Sequence, residues 1–70
     1  MTATYTAVIQ QSGEWWIGWV EEVPGVNSQG RTRRELVQNL QSALGEALEI
    51  NRAQARALIG EGYEEELLTV

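Results

Sequence analysis

Apolar and polar residues alternate through "ATYTAVIQ", which puts Tyr5, Ala7 and Ile9 on one face and Thr4, Thr6, Val8 and Gln10 on the other. With its β-branched residues the segment predicts a half-buried strand. "QSGE" supplies a turn in which Gly13 takes positive φ, and "EWWIGWVEEV" follows as a second strand, so residues 3–22 are expected to form a β-hairpin. In the second strand Trp15, Ile17 and Trp19 point one way while Trp16, Gly18 and Val20 point the other. Both faces are apolar.

Pro24 and Gly25 break the run, because proline cannot donate to a sheet ladder and favours a turn. "VNSQG" is short and polar, and predicts a weak third strand at an edge, closed by Gly30. In "TRRE" Thr32 can accept from the amide three residues on, while Glu35 reaches back to the cap, so a helix begins there. Leu36, Val37, Leu40, Ala43, Leu44, Ala47, Leu48 and Ile50 then fall within an arc of roughly 160°. The opposite side carries Gln38, Gln41, Ser42, Gly45, Glu46, Glu49, Arg52 and Arg56. This amphipathic helix is expected to run through "RAQARALI" until Gly60 and Gly62 stop it.

The tail "YEEELLTV" reads as a final strand with an acidic entrance. The order is therefore β-β-β-α-β, an α+β domain occupying residues 1–70. The last strand is expected to join the sheet by a right-handed crossover, with the helix on one face. No repeat, linker or low-complexity tract interrupts the chain.

A chain of 70 residues buries only roughly 60% of the surface it exposes when unfolded, so it needs further support. Disulfides and metal are the usual sources in small scaffolds, and cysteine and histidine are both absent. Association with a second copy or another protein remains. Ten acidic residues, all glutamate, stand against five arginines, for a net charge of -5. Such a surface repels nucleic acid and anionic lipid and attracts basic partners. No window resembles a membrane span, and "MTATYT" lacks the basic start of a signal peptide. A cytoplasmic location is expected.

Candidate chemistry is sparse. Without cysteine, histidine, aspartate or lysine the chain cannot assemble the common nucleophilic triads or a lysine Schiff base, and it lacks the commonest zinc ligands. No cofactor or metal is expected. Glu21–Glu22 and Glu64–Glu66 could in principle hold a hard cation, but neighbours on a strand point to opposite faces, so a solvated surface is the expected role. The glycines form no phosphate-binding loop. Arg31, Arg33 and Arg34 at the helix start could attract an anion, although arginine there opposes the helix dipole.

The tryptophans carry the most weight. Burying one removes about 200 Å² from water, worth several kcal/mol at ~25 cal/mol/Å². The helix can cover one face of their strand. A second copy of the chain, or a different protein, is needed for the other.

The stretch "WIGWVEEVPGVNSQGRTRRELVQNLQSAL" resembles the HicB-like antitoxin family. The matching positions are Trp16, Gly18, Val20, Glu22, Val23, Pro24, Gly25, Ser28, Gln29, Gly30, Thr32, Glu35, Asn39, Leu40 and Ala43, with P-G, S-Q-G-x-T and E-x-x-x-N-L as the distinctive spacings. Arg31, Leu36 and Val26 depart from the family's usual acidic residue, alanine and cysteine. The resemblance implies a truncated RNase H-like fold without nuclease activity: a three-stranded antiparallel sheet plus a final strand, with one long helix on one face. It implies neutralisation of a small basic HicA-type ribonuclease toxin by covering its surface.

Overlaid on the family pattern, Trp16, Gly18 and Val20 are expected to face the helix. Trp15, Ile17 and Trp19, with Glu21 and Glu22 beside them, are expected to meet the partner. A homo-oligomer is expected too. Direct binding of DNA or RNA is not, given the charge and the lack of the C-terminal DNA-binding domain of longer members. The alternative is a stand-alone oligomeric structural or small-ligand-binding domain with no toxin partner.

Overall fold

The structure, a computed structural model, describes residues 4–69. Three strands, β1 (Ala7–Ser12), β2 (Trp15–Val20) and β3 (Asn27–Gly30), precede a single helix, α1 (Arg33–Ile59). The strands form one antiparallel sheet in the order β1-β2-β3.

The expected hairpin is present in a tighter form. Gln11 and Ser12 belong to β1 and Ser12 pairs with Trp15, which leaves Gly13 and Glu14 as a two-residue loop. Gly13 takes φ 62°, and glycine at the first loop position suits a turn whose twist matches that of the strands. At the other end Glu21 N–H donates to the Thr6 carbonyl at 2.9 Å, continuing the ladder past Val20. Ala3, where the hairpin was expected to start, lies outside the described residues. The bend at Pro24 follows expectation: Gly25 has φ 86°, and Val20 N–H donates to the Val26 carbonyl across the loop at 3.0 Å.

Thr32 caps α1, its Oγ1 accepting from Glu35 N–H at 3.0 Å. The reciprocal bond from the Thr32 amide to the Glu35 carboxylate does not accompany it. Gly60, with φ 80°, ends the helix and donates its N–H to the Arg56 carbonyl at 2.9 Å.

Val20, Val26, Leu36 and Leu40 form the buried core, with Tyr5, Ile9, Trp16, Val23, Ala43, Leu44 and Ala47 packed around it. The helix lies over β3 and β2 and makes little contact with β1. Two glycines permit that approach. A Cβ on Gly30 would lie 2.6 Å from the Leu36 amide nitrogen, and one on Gly18 would lie 3.1 Å from Leu40 Cδ1. Asn39 adds a polar tie, donating from Nδ2 to the Gln29 carbonyl of β3 at 2.9 Å.

Two further expectations differ. Ile50, counted on the buried arc, is 57% exposed, because α1 runs on beyond the sheet. Six-residue strands span about 20 Å, whereas a helix of 27 residues spans about 40 Å. The final strand is also not formed: residues 63–69 carry no regular structure, and Val70 lies outside the described residues. Instead, Tyr63, Glu64, Glu65 and Glu66 line a hollow with Arg52, Ala55, Arg56 and Ile59 at the far end of α1. Arg56 Nε and Glu65 Oε1 stand 3.5 Å apart there.

Candidate protein-interaction site

Alternation along β2 divides the tryptophan strand between two environments. Gly18 and Val20 are buried and Trp16 is half-buried against the core, all on the helix side. Trp15 and Trp19 remain 36% and 48% exposed on the other face, with half-buried Ile17 between them.

The register supplies their neighbours. Val8 stands opposite Trp19, Gln10 opposite Ile17, and Ser12 opposite Trp15. On the other side Asn27 pairs with Trp19 and Gln29 with Ile17. The outer face is thus an apolar diagonal of Val8, Trp19, Ile17 and Trp15 framed by uncharged polar side chains. Val8, 45% exposed, was not among the expected contact residues. The two-residue loop at Gly13–Glu14 fixes the register that brings it beside Trp19, and the alternation in β1 already placed it on this face.

Arg31 adds a charge at one end. Its guanidinium lies 4.3 Å from the centroid of the Trp15 ring, a cation-π contact, and its Nη1 is 3.7 Å from Glu14 Oε2. Arg31 is therefore engaged on the sheet. The amides of Glu35 and Leu36 are already bonded to the Thr32 side chain and carbonyl. The helix start, the possible anion site, thus has one of its free amides, that of Glu35, occupied by the cap and one of its three arginines directed elsewhere.

No family model, curated protein or solved structure matches this chain. What the site can do follows from its own residues. Glu21 and Glu22 lie at the end of β2, both exposed. Glu22 has a structural task, since its Oε1 accepts from the Thr6 backbone N–H at 2.7 Å. That bond holds its carboxyl below the usual carboxylate range. Glu21 contributes its backbone to the ladder while its side chain faces water.

The structure thus brings Trp15, Ile17 and Trp19 onto one surface and sets Glu21 and Glu22 at its margin. Among the described residues no group of three acidic side chains is placed to hold a metal ion. No helix in that range is long and apolar enough to cross a membrane.

A second feature lies on the helix side of β1. A groove of about 150 Å³ opens there, lined by Tyr5, Ala7, Val20, Val37, Leu40 and Leu44, with Thr6 and Gln41 at its margin. Two core residues, Val20 and Leu40, reach its floor. The volume is well under the ~300–1,000 Å³ of typical small-molecule sites. Across the molecule, the hollow between α1 and the tail is lined largely by charged side chains.

Proposed function

We propose that this chain is a non-enzymatic protein-interaction module of the HicB-like antitoxin type, acting in the cytoplasm. Its outer sheet face covers a small basic HicA-type ribonuclease toxin. The observation that carries the reading is the uncovered apolar diagonal of Trp15, Ile17, Trp19 and Val8, on the face opposite the helix.

Aromatic side chains centred in an interface supply much of its binding free energy when desolvated. Arg31 over Trp15 offers a polar rim, and the net charge of -5 draws in a basic partner. The β-β-β-α order agrees with the first four elements of a truncated RNase H-like fold. The chain on this reading also forms a homo-oligomer and works without a cofactor.

The test is whether the neighbouring gene encodes a short basic protein and, where it does, co-expression of the two. Restored growth and co-purification are expected. Unrelieved toxicity, or a harmless neighbour that does not bind, would favour a stand-alone oligomeric domain.

A further inference from the structure

The sheet has two edges in different states. At β3 the Asn39 side chain occupies the Gln29 carbonyl. At β1 nothing among the described residues pairs with the outer side. The Thr6 carbonyl accepts from Glu21 N–H, so Thr6 directs its backbone groups toward β2. By alternation Ala7, Ile9 and Gln11 direct theirs outward.

Just inside this open edge lies the groove in which Val20 and Leu40 remain reachable. A strand laid along β1 would satisfy the outward backbone groups. One of its alternate side chains would enter the groove. Helix α1 does not obstruct that position, since it packs over β2 and β3.

The chain also carries a segment suited to the position. Leu67 and Leu68 are 97% and 87% exposed, followed by Thr69, in a stretch with no regular structure. Its own groove is out of reach while α1 is intact. From Leu44 to Gly60 the helix rises about 24 Å. From Gly60 to Leu67 an extended chain spans at most about 25 Å. The return would consume the whole segment before any residue ran alongside β1, and the groove continues past Leu44 to Leu40 and Val37.

A second copy has no such constraint. Its tail can approach β1 from outside, and its overhanging helix brings exposed Ile50, Leu58 and Ile59 toward the same junction. We infer that residues 66–69 of one copy add as a fourth strand to the open β1 edge of another, with a leucine seated in the groove between β1 and α1. Exchanged reciprocally, this closes a two-fold dimer and leaves the tryptophan face uncovered. The inference does not depend on a toxin partner.

The absence of cysteine makes a clean crosslinking test possible. Ala7→Cys and Thr69→Cys chains, purified separately and mixed under mild oxidation, should form the mixed disulfide faster than either forms its own symmetric one. Separately, Leu67→Glu/Leu68→Glu and Ala7→Pro should each weaken self-association about tenfold or more in sedimentation, with the helical far-UV signal kept. Proline is tolerated at the first residue of a strand, where it removes only an outward N–H. The proposal is overturned if no mixed disulfide forms, if it forms no faster than the symmetric ones, or if the leucine and proline variants associate like the parent chain.

Discussion

Gly30 sits where the end of β3 meets the first turn of α1, and its missing side chain sets their separation. A Cβ there would press on the Leu36 amide at 2.6 Å, and backbone cannot yield as a side-chain tip can. Gly30→Ala should therefore destabilise the fold by about 1–3 kcal/mol in urea unfolding. Unchanged stability would mean that helix and sheet are further apart.

Glu22 gives a prediction with a pH signature. Its folded carboxyl binds a proton less readily than the ordinary value of 4.5 because the Thr6 N–H bonds to the charged form. The contribution is therefore present above that value and lost as pH falls through the lower folded value. Glu22→Gln should be less stable than the parent at neutral pH, and the gap should narrow in acid. A gap that stays constant with pH would show that the bond is not charge-assisted. At this scale the sequence disclosed Gly13, Thr32 and Gly60 through local chemistry alone. The Arg31–Trp15 contact was hidden because it joins residues brought together only by the sheet register.

The elements themselves were largely legible, since each follows from a period or a cap. The alternation of β2, the Pro24–Gly25 bend and the apolar arc beginning at Leu36 all correspond to observed features. The missing fourth strand has a physical cause. "RAQARALI" is made of good helix formers, so α1 continues to Ile59 although the sheet has ended beneath it. The tail then starts far from the β1 edge, and strand propensity in Leu67–Thr69 finds nothing to pair with among the described residues. The second half of the helix holds itself with local contacts such as Arg52–Glu49 at 2.6 Å. Intrinsic propensity should thus count for more in α1 than packing does. Gly45, in mid-helix with nothing within 4 Å of a would-be Cβ, tests this. Gly45→Ala should stabilise by about 0.5–1 kcal/mol, read as a higher midpoint in thermal unfolding. A lower midpoint would mean that another surface needs the space.

At the scale of the molecule, a small core of Val20, Val26, Leu36 and Leu40 supports an elongated body of 51 × 22 × 15 Å. Apolar surface remains on the outer sheet face and along the overhanging helix and tail. The tryptophan face was readable in the sequence because adjacent Trp15 and Trp16 must point to opposite faces of their strand. Val8 and the groove beside β1 needed the register and the helix position. The direct test of the account is the affinity of the purified chain for the proposed basic partner, measured by calorimetry before and after Trp15→Ser/Trp19→Ser. The account predicts a loss of about 2 kcal/mol or more, roughly thirtyfold in Kd, with the far-UV spectrum unchanged. Trp16→Ser should instead disturb the fold by leaving a cavity beneath the helix. Full affinity in a folded Trp15→Ser/Trp19→Ser chain would contradict the assignment of the outer face.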